Sequence, residues 1–264
     1  MRYYSTCGLT PAQTTELIAR CWQLHTGRPR RQRYDFRMPF GTAVTMVLVM
    51  ARHNVTQQLA ADLYGLSQPT VSRLWRYLLA MLGQVTCLER TDLASALQRG
   101  AVLIDGTPVP TGNRAGTGTT NFNVKHHKQA LGIQVATRLG GALAAVSVPV
   151  RGSRHDSRAL EEVGWAEQIR AARQSNPQLA VFADTAYVKH TRLTPRPKKK
   201  GTSRSDADRE WNRKIAGMRA PVEHAIAHLK QWKVLSTGYR GRLSELPSVI
   251  HMVTNLEFYR QAPE

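Results

Sequence analysis

Two short apolar runs that stop at aspartate limit how this chain can fold more than any other feature. Ala101-Val102-Leu103-Ile104 runs into Asp105-Gly106, and Leu179-Ala180-Val181-Phe182 reaches Asp184 across Ala183. Runs this short and apolar suit strands buried on both faces, as in parallel sheets, each stopping in a turn at its aspartate. Between them, residues 130–137 and 142–150 read as two more strands joined at Gly140-Gly141, a hairpin signal. Asp156 or Ser157 caps a helix predicted to run to about Arg173, closed by Asn176-Pro177. After a very basic loop, a long helix is expected from about Asp206 to Trp232. The order predicts an α/β layer with the last parallel strand beside the first.

The first ninety residues carry a helical pattern instead. Thr10-Pro11 starts a helix with Leu17, Ile18, Cys21 and Trp22 on one apolar face. Arg28, Arg30, Arg31, Arg33 and Arg37, opposed only by Asp35 and punctuated by Pro29 and Pro39, read as a loop. Residues 42–53 suit a buried helix. From 56 to 82 the pattern is that of a helix-turn-helix. Thr56 caps a short helix with Leu59, Ala60 and Leu63 inward, Gly65 supplies the left-handed turn residue, and Ser67 caps a second helix with Pro69 in its first turn. Val71, Leu74, Leu78 and Met81 would line the inner face, leaving Gln68, Thr70, Arg73 and Arg76 outward with the amide, hydroxyl and guanidinium groups that read base edges. Ala61, Gly65 and Val71 fall where such units carry a small residue, the turn glycine and a buried apolar residue. An ordinary αα-hairpin stays open as the alternative. The division expected is a helical domain over 1–95 and an α/β domain over 96–264.

Charge narrows the partner. The 264 residues hold 37 Lys and Arg against 18 Asp and Glu, a formal +19, and such an excess is most often neutralised by a polyanion. No apolar run is long enough for a spanning helix, and Met1-Arg2-Tyr3-Tyr4 starts no signal peptide, so a membrane is not expected. Cys7, Cys21 and Cys87 are odd in number and far apart, which excludes a disulfide scaffold or zinc ribbon and fits a reducing cytosol.

Carboxylates at the ends of neighbouring parallel strands would stand side by side at the mouth of the sheet. Asp105 and Asp184 would then repel unless a hard cation neutralised them, although each could simply cap the turn that follows. On the long helix, Trp211, Ile215, Met218, Val222, Ile226 and Leu229 form an apolar stripe. Beside it Arg219, Glu223 and Lys230 share a face, as a salt-bridge ladder or as part of a site. Pro221 should bend the helix there. Lys125-His126-His127-Lys128 reads as a loop, not a metal pair, because adjacent histidines on a strand point to opposite faces. Residues 189–204 hold seven Lys or Arg and no acid, among them Lys198, Lys199 and Lys200, either as a solvated run or as a contact to the DNA backbone.

Four stretches carry a resemblance: Ile-Asp-Gly-Thr at 104–107, Gly-Ser-Arg-His-Asp-Ser at 152–157, Ala-Asp-Thr-Ala-Tyr at 183–187 and Pro-Val-Glu-His-Ala-Ile-Ala-His-Leu-Lys at 221–230. With them the chain resembles the DDE-superfamily transposases of bacterial insertion sequences, in the insertion-sequence-five and Harbinger-like branch, over nearly its whole length. The resemblance implies a ribonuclease H-like catalytic domain, a mixed sheet flanked by helices, behind the helix-turn-helix domain. It makes Asp105, Asp184 and Glu223 an acidic triad holding two divalent ions, Mg²⁺ or Mn²⁺, for DNA cleavage and strand transfer. Arg219 and Lys230 match the Arg-x3-Glu-x6-Lys part of a related signature, whose tyrosine is replaced by Ala216; they would hold flanking phosphates. His155 and Asp156 are candidate accessory residues, with a helix cap the simplest role for Asp156. Asn123 and Val124, and Lys189 in place of a glycine, depart from the family pattern. The partners implied are double-stranded DNA, as transposon ends and target, and further copies of the chain as a dimer or larger oligomer, in the bacterial cytoplasm near the nucleoid. The alternatives are a decayed or co-opted DNA-binding protein and a nuclease without strand transfer.

Overall fold

The computed structural model describes residues 3–87, 92–112, 114, 118–198, 201 and 203–262. They gather into two compact units. The first takes in the described residues of Met1–Glu89, Pro110–Gly112 and Leu229–Glu264, the second those of Arg90–Val109 and Asn113–His228. The described part of Leu229–Glu264 thus groups with the amino-terminal helices.

The first unit begins with α1 (Tyr3–Cys7), α2 (Pro11–Gly27) and α3 (Phe40–His53). Thr10 and Gln13 form a reciprocal capping box at the start of α2. Leu17 and Cys21 are buried as expected, but Trp22 is about half exposed and stacks on His25. The arginine loop between α2 and α3 is anchored rather than free. His25 Nδ1 lies 2.8 Å from the Tyr77 hydroxyl, Phe36 and Phe40 pack on the His25 ring, and the Arg28 guanidinium lies over Tyr77. As expected, α3 is buried along most of its length.

Next come α4 (Gln57–Tyr64) and α5 (Gln68–Val85), the predicted helix-turn-helix. Thr56 accepts from the Leu59 amide, Gly65 sits at φ 63°, and Ser67 accepts from the Thr70 amide, so both caps and the turn form as the sequence requires. Val71, Leu74, Leu78 and Met81 are buried. The inner face of α4 differs from expectation: Leu59 and Leu63 are exposed, and the adjacent small residues Ala60 and Ala61 pack inward. Small side chains let α4 approach α5 closely, which turns the leucines outward.

The second unit opens with α6 (Leu93–Gln98), capped by Asp92, and then β1 (Val102–Pro110). After β2 (Phe122–Asn123) and β3 (Lys128–Arg138), the chain returns as β4 (Leu143–Val146) and β5 (Val150–Arg151), both antiparallel to β3. The predicted second hairpin strand is thus interrupted over Ser147, Val148 and Pro149. Two helices follow, α7 (Asp156–Glu162) and α8 (Trp165–Ser175), where one was expected. Gly164 stands between them at φ 77°, a left-handed position that ends the first helix.

β6 (Val181–Phe182) pairs parallel to β1, completing the order β2-β3-β1-β6. The parallel neighbour predicted for β1 is present, in a mixed sheet with helices packed on it. Val102, Ile104, Ala136, Ala145, Val181 and Ala183 form its buried core with Leu160, Trp165 and Ile169 of α7 and α8. α9 (Asp206–Gln231) runs through Pro221 as one assigned helix. Its stripe buries Ile215 and Val222 but leaves Met218 exposed. The chain ends in α10 (Leu246–Gln261), which the sequence reading did not predict. It packs on α5 in the first unit and is buried over most of its length. Among the described residues no helix is long and apolar enough to cross a membrane.

Candidate active site

The sheet sets the first two acids. In the β1–β6 register Val102 pairs with Val181 and Leu103 with Phe182, so Asp105 and Asp184 each stand two residues past the last pair. They share one level of the two strands. Asp105 does not end its strand, however, since β1 continues to Pro110. The glycine that follows is therefore a position of close approach and not a turn. A Cβ on Gly106 would lie 2.6 Å from Oδ1 of Asp156 and 2.9 Å from the Tyr187 hydroxyl. Asp184 does cap the turn after it, Oδ1 accepting from the Thr185 amide at 2.6 Å. The turn-capping role thus holds for Asp184 without removing it from the site.

Glu223 arrives from α9 and meets the aspartates through Arg219. One guanidinium reaches all three: 3.2 Å to Asp105 Oδ2, 3.8 Å to Asp184 Oδ1 and 3.9 Å to Glu223 Oε1. Side-chain exposure rises outward, from 12% for Arg219 and 20% for Asp105 to 34% for Asp184 and 59% for Glu223. Burial pushes the Asp105 carboxyl up to about 6, against the pull of Arg219 and the Gly106 amide, and the charges of Asp184 and Asp156 add to the rise. Burial, then the carboxylates of Asp156, Asp105 and Asp184, also raise the Tyr187 phenol, which stays protonated and donates to Gln134 Oε1 at 2.6 Å.

The other predicted residues fall unevenly. His155 is exposed and flanks α7 without a side-chain cap bond. Asp156, half-buried at the first position of α7, makes no cap bond either, so the simplest role expected for it is not realised. Asp156 and Asp184 instead line a cavity of about 830 Å³ with Lys125, His126, Arg154 and Lys189 on its wall. Lys125 and His126 belong to the turn between β2 and β3, the loop role expected for that stretch. Gly152, which opens the Gly-Ser-Arg-His-Asp-Ser stretch, is obligatory, as a Cβ there would lie 2.1 Å from the Ala130 carbonyl oxygen. Lys230 lies in the first unit, half-buried, with Nζ donating to the Leu235 carbonyl and its ammonium lowered by burial to about 8. Gln68, Arg73 and Arg76 are exposed on α5, while Thr70 is half-buried with its hydroxyl 2.9 Å from Ser67 Oγ. Lys198 is exposed; Lys199 and Lys200 lie outside the described residues.

Sequence reasoning missed Gln134 and the use of Gly106. Both lie in the strand pattern, where nothing local distinguishes them. Arg219, expected to hold phosphate, faces the three acids in the structure without DNA.

Carboxylate oxygens are hard donors that suit Mg²⁺ or Mn²⁺, and a buried guanidinium among three of them marks a place that demands positive charge. Among the described residues, no three His, Cys, Asp or Glu side chains stand close enough to hold an ion without moving. The donor set fits a divalent ion, and the exposed Glu223 is the one freest to close on it.

The chain thus combines a mixed sheet carrying Asp105 on β1 and Asp184 just past β6, a helix-borne glutamate and a helix-turn-helix. The family models agree: one described as DDE superfamily endonuclease matches residues 104–257, and one described as the helix-turn-helix of DDE superfamily endonuclease matches residues 37–87. The chain belongs to the DDE superfamily of endonucleases. It is 27% identical over 231 residues to a Streptomyces albus G protein named as a transposase for insertion sequence element IS112, covering 86% of this chain and 83% of that one. No solved structure matches the chain.

Proposed function

We propose that the chain is the transposase of an insertion element, binding the element's ends through α4 and α5 and cutting and joining DNA strands at Asp105, Asp184 and Glu223. The observation that supports this best is that Asp105 on β1 and Asp184 just past β6 each stand two residues beyond the last parallel pair, with Glu223 joined to both through one guanidinium. Asp105, Asp184 and Glu223 would hold two divalent ions, Mg²⁺ or Mn²⁺, which when bound polarise the scissile phosphate and acidify the attacking hydroxyl. Asp105 stands within β1 and Asp184 accepts from the Thr185 amide, so both would be oriented before substrate arrives. Glu223, on the solvent side, completes the set last.

Gln68 and Arg73, on the leading turns of α5, would enter the major groove, with Thr70 holding the Arg73 guanidinium at 3.4 Å. Arg76 and the basic segment that includes Lys198, Lys199 and Lys200 would hold phosphates, as would Arg219 and Lys230. Two ends must meet in one complex, so a dimer or larger assembly on DNA follows from the reading.

The test is a labelled duplex carrying the element's end, incubated with Mg²⁺. Cleavage and strand-transfer products are expected from the wild type and from neither Asp105→Ala nor Glu223→Ala. Unchanged cleavage by both variants would sink the assignment. Cleavage without joined product would leave a nuclease, and salt-sensitive binding without any product would leave a DNA-binding protein.

A further inference from the structure

Among the described residues, Arg219 is the one cation that all three acids of the proposed site share. Its terminal nitrogens face Asp105, Asp184 and Glu223, while its buried Nε has no hydrogen-bond partner among the described residues. A guanidinium placed to satisfy its own donors would not leave that nitrogen idle. The side chain stands instead where negative charge is greatest. A divalent ion ligated by the same carboxylates would come within contact distance of the guanidinium, and two cations so close in a partly buried place repel strongly. The carboxylates, arranged around a broad planar group, are correspondingly too far apart to grip an ion as they stand.

We propose that Arg219 is the resident counter-ion of the metal-free site, a positioning residue that holds the three carboxylates and must withdraw before divalent ions enter. The proposal rests on the reading of Asp105, Asp184 and Glu223 as the metal-holding acids. Arg219 has a long, flexible side chain on α9, and a DNA phosphate offers it the same charge-assisted bonds that it leaves. In the absence of DNA, the arginine and the ions compete for one place.

The experiment titrates the intact protein with Mn²⁺ in the absence of DNA, by calorimetry and by the spin-resonance signal of free Mn²⁺. Arg219→Gln is expected to bind Mn²⁺ about tenfold tighter than the wild type or better. Arg219→Lys, which keeps the charge but cannot fork across three carboxylates, should fall between. Metal-free Arg219→Gln should melt below the wild type, its acids having lost their counter-ion, and Mn²⁺ should raise its melting temperature more than that of the wild type. If Arg219→Gln binds Mn²⁺ no tighter than the wild type, the arginine does not compete and the proposal is overturned. Should Arg219→Gln fail to fold, Arg219→Lys decides: tighter binding than the wild type upholds the proposal and equal or weaker binding rejects it. Asp105→Asn tells the two failures apart. Its loss of Mn²⁺ binding, without any gain in the arginine variants, rejects only the competition; unchanged binding in Asp105→Asn rejects the metal-holding reading itself.

Discussion

Gly106 leaves the space that Asp156 fills, since a Cβ there would stand 2.6 Å from Asp156 Oδ1. A mid-strand glycine weakens a strand, so its presence one residue past Asp105 needs a reason, and close approach supplies it. The half-buried Asp156 carboxylate thereby adds its charge to the surroundings of Asp105 and Tyr187. Gly106→Ala should cost about 1–3 kcal/mol through overpacking. In an Asp156→Ala background the penalty should shrink, because the crowding oxygen is gone and only the Tyr187 hydroxyl remains near. Urea unfolding of the two single variants and the double variant measures the coupling. Strictly additive costs would show that the two positions do not meet.

Asp105 links stability to pH. Its carboxyl is raised to about 6, chiefly by burial, above the ordinary value of 3.8. Between those two values the folded protein binds more protons at this group than the unfolded chain does, so stability falls as pH rises. The contribution is fully present below the ordinary carboxylate value and lost as pH climbs through about 6. Asp105→Asn removes the linkage. The melting temperature of metal-free wild type, taken relative to Asp105→Asn, should therefore decline from pH 4 to pH 7, most steeply between these two pKa values. A flat difference across that range would show that the group titrates normally.

In the first unit, α10 carries an ion pair whose acid is buried. Glu257 is 1% exposed and accepts from Arg260 and from Trp232 Nε1, itself fully buried. Removing one member leaves a poorly solvated guanidinium and an indole N–H without this partner. Glu257→Ala should destabilise the protein by about 3–5 kcal/mol, seen as a lowered urea midpoint. Glu257→Gln, which can still accept from both donors, should cost less. Equal costs for the two would locate the effect in the lost charge and not in packing, because Gln keeps the volume of the side chain.

Periodicity and turn chemistry made much of this fold legible in the sequence. Thr56, Gly65 and Ser67 announce α4 and α5 because caps and a left-handed turn need those residue types. The parallel β1–β6 pair could be read from the two short apolar runs and the order of the elements between them. What could not be read depends on contacts between distant segments. Gly106 looked like a turn glycine because the segment that crowds it, at Asp156, lies fifty residues on. Leu59 and Leu63 looked buried because periodicity cannot show that Ala61, and not the leucines, joins Ala60 on the inner face. α10 escaped notice because it is buried nearly all round, leaving no amphipathic period to find. At the site, types and spacing marked Asp105, Asp184, Glu223 and Arg219 for attention, but only the fold joins Arg219 to all three acids.

The exposed face of α5 yields the prediction that bears most directly on recognition. Gln68 and Arg73 project from its leading turns and Arg76 from the turn after, with the Arg76 Nε hydrogen-bonded to the Ser72 carbonyl and the Gln68 amide to Gln57. Groups that read bases and groups that hold phosphates respond differently to salt and sequence. Arg76→Ala should weaken binding to every duplex alike and lower the slope of log affinity against log salt by about one. Gln68→Ala and Arg73→Ala should each cost about 1–3 kcal/mol on the element's own ends and much less on unrelated DNA, so that the preference narrows. Fluorescence anisotropy with end-bearing and scrambled duplexes, across a salt series, separates the two behaviours. If all three variants shift both duplexes by the same factor, α5 holds the backbone without reading the bases, and recognition must lie on another part of the chain.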